Sequence, residues 1–484
     1  MTTLAHGTVI ETDLPNRLDR LPWSRWHWRV VIALGVTWIL DGLEVTIVGA
    51  VAAVLTKREA LDLSESQIGW AASAYLAGAV LGSLLFGRLT DHLGRKRLFM
   101  VTLAIYLGAT LLTSLSWDFW SFALFRALTG AGIGGEASAM NSAIDELLPA
   151  HIRGRADLMI NGSYWAGTAL GAASSLVLLD PGLIPHAIGW RLCFALGAAM
   201  GMGILLIRRH VPESPRWLLL HGHLGEAERI VKSIERTVER ETGAPLPPVE
   251  GRVELHVKGA ATYAEVARVL FRSHRKRSIL GLAMMISQAF AYNAIFFTYA
   301  LVLSRFYGVP AGEIGYYLLP FALGNLLGPF VLGPAFDIVG RRIMISLTYA
   351  VSGILLAVAG YLFYLGLLTA TTQTALWCVV FFFASAAASS AYLTVSELFP
   401  VDMRGLAIAL FYATGIAVGG VAAPAIFGIL IESGSPARVF AGYLLGALLM
   451  LGAAAVSAVL GVASERKSLE AIARLKDVLT ERSA

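Results

Sequence analysis

The sequence predicts an all-α integral membrane protein of twelve transmembrane helices, arranged as two pseudo-symmetric six-helix bundles. Three observations carry that expectation. The 484 residues are 56% hydrophobic and only 15% charged, a balance that leaves too few polar side chains to cover a water-soluble surface. Twelve apolar stretches are long enough to cross a bilayer, which takes roughly 20 residues each. Polar motifs of the first half return in the second half at a nearly constant offset.

The spans fall at about 29–55, 67–87, 97–115, 119–144, 156–178, 189–209, 278–304, 315–335, 343–366, 374–396, 405–430 and 437–462. Helices are the expected form, because a backbone in lipid must satisfy its own hydrogen bonds. The organisation that follows is a tail at 1–28, a first bundle at 29–209, a polar linker at 210–277, a second bundle at 278–462 and a closing tail at 463–484. The first thirty residues carry Asp13, Arg17, Arg20, Arg25 and Arg29 without the short apolar core of a cleaved signal peptide.

Basic residues set the orientation. With both termini cytoplasmic, 32 of the 38 Lys and Arg lie in the inner loops and tails, five face outside, and Arg126 lies within a span. That bias fits the positive-inside rule, places the chain in the cell (inner or plasma) membrane, and accounts for the net charge of +5 without nucleic-acid binding. Cys193 and Cys378 both fall inside spans, so neither a disulfide framework nor a metal site is expected. No cofactor is implied, and an intramembrane enzyme finds no HExxH, GxSxG or His/Cys cluster to support it.

In the linker, "AERIVKSIERTV" places Ile230, Val231, Ile234 and Val238 on one stripe of a charged helix, which predicts a helix lying along the cytoplasmic surface. "TGAPLPPVEG" at 242–251 then breaks it.

The halves echo each other. "GRLTDHLGRK" begins at Gly87 and "GPAFDIVGRR" at Gly333, 246 positions later. Gly87, Asp91, Gly94, Arg95 and Lys96 thereby correspond to Gly333, Asp337, Gly340, Arg341 and Arg342. "ELLPAHIRG" begins at Glu146 and includes Arg153; "ELFPVDMRG" begins at Glu397, 251 positions later, and includes Arg404. Two motifs repeating at nearly one offset indicate a duplicated six-helix unit. Glycines permit tight turns in these loops, and their acids can accept from a helix N-terminus or pair with a guanidinium. Mirrored sets could latch the halves at the cytoplasmic face; the alternative is that they only end helices and hold orientation.

These loops, with "PESPRWL" at 212–218 after the sixth span, resemble the major facilitator superfamily over nearly the whole chain, and within it the sugar-porter-like and metabolite–proton symporter branches. The resemblance implies a secondary transporter that works by alternating access, with the paired loops favouring an outward-open state. Its partners would be a small-molecule substrate, protons and the lipid bilayer, and the chain would act as a monomer.

Four ionisable residues lie inside predicted spans: Asp41, Glu44, Arg126 and Glu136. A charge at a helix centre costs roughly 2.5–3.5 kcal/mol even on the lenient insertion scale, so such residues face a cavity or a partner. Asp41 and Glu44, three positions apart, share one helix face, and close carboxylates in reduced dielectric can take up and release a proton. Arg126 keeps its charge, and an acid on the first span is its best available partner. The resemblance assigns the same pair: Gly42-Leu43-Glu44 occupies the position of the first-helix acid of sugar-porter-like proton symporters, Arg126 that of the fourth-helix arginine. Asp41 adds the D-G-x-[DE] pattern of organic-acid symporters. A static ion pair that only fixes helix packing is the alternative. Glu136, beyond Gly132, Gly134 and Gly135, is either a carboxylate hydrogen-bonded inside the bundle or a participant in substrate or proton handling.

In the seventh span, Gln288 and Asn293 keep the Q-x-x-x-x-N spacing with which sugar porters bind hydroxyls, with Tyr292 between them, although amides also simply tie helices together in lipid. The rest of the sugar-binding set departs from the pattern: Gly162, Ala169 and Ser287 stand where glutamines are expected, and Tyr392 stands at a tryptophan position. A small organic acid whose carboxylate meets Arg126 suits the site better than a hexose. The expected function is therefore proton-coupled symport of a small metabolite, an organic acid; a sugar or polyol porter or uniporter is the first alternative, and a transporter-like nutrient sensor the second.

Overall fold

The computed structural model describes residues 9–208, 212–249, 251–256, 263–398 and 404–461. Twelve long helices form the body. The first six are Arg25–Leu55, Glu65–Leu93, Arg95–Ser114, Phe119–Leu147, Ala150–Leu178 and His186–Arg208. The second six are Arg275–Phe296 with its continuation Tyr299–Tyr307, Ile314–Ile338, Arg341–Tyr364, Ala370–Leu398, Arg404–Gly415 with its continuation Ala422–Glu432, and Pro436–Leu460. Nine helices among the described residues are long and apolar enough to cross a membrane. The fourth, fifth and sixth have the length as well.

Two spans depart from the continuous helices that hydropathy predicts. The seventh is interrupted at Phe297–Thr298, just where Asn293 Nδ2 donates to the Ala289 carbonyl at 2.7 Å and the Thr298 hydroxyl donates to the Ala294 carbonyl. Polar side chains compete there for carbonyls that a straight helix would use itself. The eleventh contains a π-helical turn, Ile416–Gly420, closed by Val421 N–H to the Ile416 carbonyl at 2.7 Å. Pro424, one turn later, has no N–H to return to Gly420. Both places lie in stretches that are apolar on average, so a hydropathy window passes over the interruptions although Asn293, Thr298 and Pro424 stand there.

The end of the bundle that carries the N-terminal segment and the linker is termed here the tail side. At the opposite, far side the halves touch through hydrogen bonds: Ala425 N–H donates to Ser73 Oγ at 3.2 Å, and Ser66 N–H donates to the Glu432 carboxylate at 3.0 Å. These contacts join the second and eleventh spans, while the fifth packs along the eighth.

On the tail side the linker helix Leu224–Thr242 does bury its stripe, but against the chain's own N-terminal segment. Val231, Ile234 and Val238 pack with Leu14, Leu18 and Leu21, and Ile230 sits at the margin of the cluster. Arg17 forks onto Glu235 at 3.0 and 2.5 Å and reaches Glu228 at 2.9 Å; Arg20 also meets Glu235 at 2.5 Å. Glu241 accepts the N–H of Trp26 at 2.8 Å and pairs with Arg29 at 3.1 Å, fastening the linker helix to the start of the first span. A short antiparallel pair of strands, Val9–Thr12 with Val253–His256, completes the contact. Tail leucines thus cover the apolar stripe of the linker helix.

Candidate functional site

The first span presents its two acids from one face, Glu44 with no exposed surface and Asp41 only 7% exposed. The approach that puts them there depends on Gly42. A Cβ at that position would lie 2.0 Å from the Tyr164 carbonyl oxygen, so the first span rests backbone against backbone on the fifth. Ser163 Oγ pins the crossing by donating to the Gly35 carbonyl at 2.8 Å.

Arg126 Nη1 donates to Glu44 Oε1, closing an ion pair between the fourth and first spans in which both side chains are fully buried. Tyr75 and Phe194 cover the guanidinium, their ring centroids 4.5 and 5.5 Å from its carbon, which adds a cation–π attraction in a dry setting. Arg126 Nε and Nη2 and Glu44 Oε2 have no hydrogen-bond partner among the described residues. A buried ion pair is costly to desolvate unless its remaining donors and acceptors are met. This one is therefore held together chiefly by the single charge-assisted contact and is chemically open to exchange: a proton on Glu44, or another anion at Arg126, would compete with it directly.

Tyrosines of the fifth and eleventh spans lie around Asp41. Tyr164 of the fifth span feels the charge of Asp41 and lies near Tyr292 and Tyr392; Tyr412 of the eleventh span likewise lies near Tyr392, Asp41 and Tyr164. Trp38, one turn before Asp41, meets Tyr164 edge to face with centroids 6.3 Å apart. Tyr392 is 38% exposed, the Gln288 amide lies beside its hydroxyl, and its ring lies 6.4 Å from that of Tyr412. Two of the sequence-predicted substrate residues are turned elsewhere. Tyr292 donates to Asn325 Oδ1 at 2.8 Å, and Asn293 spends an amide hydrogen on its own helix. Glu136, only 1% exposed, stands ten positions after Arg126, about 15 Å along the fourth span, and so is not part of the ion pair.

At the tail side, Gly94 and Gly340 precede the third and ninth spans with φ of 86° and 107°, values that glycine adopts without strain. Lys96 N–H donates to Glu213 of the "PESPRWL" segment at 3.1 Å, and Arg342 Nε donates to the Ala458 carbonyl at 2.9 Å. Gly87 ends the apolar part of the second span, and Arg341 is half-buried at the start of the ninth. The side chains of Asp91, Arg95, Glu146, Arg153, Asp337, Glu397 and Arg404 lie outside the described residues.

The family described as "Sugar (and other) transporter" matches residues 28–475. The chain belongs to that family. Among curated proteins it is similar to the niacin transporter NiaP of Acinetobacter baylyi, 29% identical over 95% of this chain and 99% of that one. It is also similar to the 4-hydroxybenzoate transporter PcaK of the same organism, 26% identical over 72% of this chain and 74% of that one. Among solved structures, the xylose transporter XylE from E. coli in its inward open conformation superposes with a TM-score of 0.69 at 19% identity, covering 93% of this chain and 99% of that one. The fold is that of the major facilitator superfamily, twelve helices in two six-helix bundles, and the chain is a multi-pass membrane transporter of the sugar and metabolite type, not an enzyme.

Sequence reasoning missed Tyr75 and Phe194 as the covers of Arg126, and Trp38 and Tyr412 as walls. Each is an aromatic residue in an apolar span, indistinguishable by composition from ordinary core. Helical spacing offered a partial signal for Trp38, which lies three positions before Asp41 and thus on its face.

Proposed function

We propose that the chain is a proton-coupled symporter of a small organic acid, specifically an aromatic monocarboxylate, and that it works as a monomer by alternating access with the tail side in the cytoplasm. The observation that carries this reading is the buried, incompletely satisfied Glu44–Arg126 pair with Asp41 one turn away. Protonation of Glu44 removes the counter-charge of a residue that cannot lose its own. Arg126 then accepts the carboxylate of the solute, and the paired charges can cross as the halves rock. Asp41 stands close enough to act as the second carboxyl of the proton site. In this reading the two G-x-x-x-D-x-x-G-R-[KR] loops serve as the cytoplasmic latch.

Two considerations support the substrate class. The tyrosines around Asp41, with Trp38, offer faces and edges to an aromatic ring, each pairing contributing about 0.5–1.5 kcal/mol beyond area burial. The relatives named for niacin and 4-hydroxybenzoate handle aromatic acids. A sugar porter would need a fuller set of free amides, yet Asn293 and Tyr292 are already engaged, leaving Gln288 beside Tyr392. A proton-independent uniporter is the nearest rival.

The test is ligand-induced thermal stabilisation of the purified protein, since selective binding to the folded state raises the melting temperature. Nicotinate and 4-hydroxybenzoate are expected to stabilise it more at acidic than at alkaline pH, xylose and myo-inositol not at all. Glu44→Gln should make nicotinate stabilisation independent of pH. Stabilisation by the sugars alone would transfer the assignment to a sugar porter.

A further inference from the structure

We infer that Glu44 takes the transported proton on Oε2, the oxygen not bonded to Arg126, and that Gly197 of the sixth span is the positioning residue that keeps the space against that oxygen open. The inference rests on the coupled role proposed for Glu44.

Helix packing does not account for a glycine at 197. In the same bundle, a Cβ at Gly78, Gly82, Gly130, Gly134 or Gly167 would lie 1.9–2.1 Å from a backbone carbonyl oxygen of a neighbouring span, so those positions need glycine for the spans to meet. At Gly197 the three nearest atoms all belong to side chains: Glu44 Oε2 at 3.3 Å, Leu43 Cδ2 at 3.6 Å and Thr110 Cγ2 at 3.9 Å. The two methyls stand at ordinary contact distance, and only the carboxylate oxygen would be crowded by a side chain there. Gly197 is buried in the middle of its helix, where glycine is weaker than alanine. What its missing side chain provides is room beside Oε2.

The two oxygens of Glu44 are not equivalent. Oε1 accepts from Arg126 Nη1, whereas Oε2 has no hydrogen-bond partner among the described residues. A buried carboxylate oxygen without a donor is costly while it is charged and less so once protonated. Oε1 is already occupied, so the proton adds at Oε2, on the side that faces Gly197. One O–H bond forms, solvent hydronium leaves as water, and the bond from Nη1 to Oε1 persists without its counter-charge. The other ionisable groups around Glu44 are Arg126 of the fourth span, Asp41 on its own helix, Tyr75 of the second span and Tyr106 of the third. The fifth span adds Tyr164 beside Asp41, and the sixth adds Cys193, one turn before Gly197. None of them is hydrogen-bonded to Oε2.

The experiment is infrared difference spectroscopy of the full chain in lipid nanodiscs, without solute, between alkaline and acidic pH, with Glu44→Gln to assign the C=O stretch of protonated Glu44. With the proton on Oε2, the carbonyl oxygen of the acid is Oε1, still bonded to Arg126, and the band should lie at the lowered frequency of a hydrogen-bonded carbonyl. A band at the frequency of a free carbonyl would put the proton on Oε1 and overturn the inference. Gly197→Ser and Gly197→Ala then test the glycine. Both fill the space, but only serine offers Oε2 a charge-assisted hydrogen bond. Half-maximal protonation of Glu44 should therefore need about tenfold more protons in the serine variant than in the alanine variant. Identical titration of the two variants would overturn the role of Gly197; should neither fold, the wild-type band position carries the test alone. Absence of any band that depends on Glu44 would instead overturn the coupled role on which the inference rests.

Discussion

Replacing Arg17 by alanine should release the N-terminal segment from the linker helix. The guanidinium makes four hydrogen bonds, two to Glu235 at 3.0 and 2.5 Å and two to Glu228 at 2.9 and 3.0 Å, from a position only 9% exposed. Charge-assisted bonds contribute about 1.5–3 kcal/mol each in partly buried settings but are not additive within one group. Removing one partner of a buried pair costs about 3–5 kcal/mol, and the partial exposure of Glu228 lowers that. A loss of about 3 kcal/mol is a hundredfold change in the docking equilibrium. Hydrogen exchange should show it as about a hundredfold loss of amide protection in Leu224–Thr242 and Val9–Thr12, with the membrane spans unchanged. The same contact fixes a pH dependence. Burial alone would raise the carboxyls of Glu228 and Glu235, but hydrogen bonding and charge from Arg17, with Lys232 and Arg20 respectively, hold both below the ordinary 4.5. Groups depressed in the docked state stabilise it above 4.5, and that stabilisation is lost as pH falls through the lowered values. Docking should therefore be intact at neutral pH and fail only in acid below 4.5. Unchanged protection in Arg17→Ala would refute the reasoning, because the apolar contacts of Leu14 and Leu18 would then be sufficient alone.

Three further outcomes follow from particular contacts. Gly42→Ala places a Cβ 2.0 Å from the Tyr164 carbonyl, so the first and fifth spans must separate; a lowered melting temperature and loss of nicotinate stabilisation are expected by thermal shift. Tyr292→Phe removes a hydroxyl already given to Asn325, so nicotinate affinity by calorimetry should change by less than about threefold, at a stability cost of roughly 1 kcal/mol. Glu432→Gln weakens the charge that caps Ser66, and maleimide labelling of a Ser73→Cys reporter at the far-side seam should become faster.

The number of spans and the duplication were legible because hydropathy and motif spacing are long-range signals that survive without coordinates. Glu44 and Arg126, 82 positions apart, can be paired from sequence because a charge in lipid must find a partner and the spans offer few acids. The docking of the tail was not legible. Arg17 and Glu235 are 218 positions apart in polar segments where charges are common, and an amphipathic helix does not say what will cover it. Gln288 and Asn293 share a motif, but only coordinates reveal that one amide faces Tyr392 while the other is returned to its own backbone.

Proteoliposomes carrying an imposed pH gradient give the most direct test of the coupling of Glu44 to solute movement. Wild-type protein should concentrate labelled nicotinate against its gradient, and Glu44→Gln should abolish that accumulation while preserving nicotinate counterflow at equal pH on both sides. Equal accumulation by the two proteins would contradict the account.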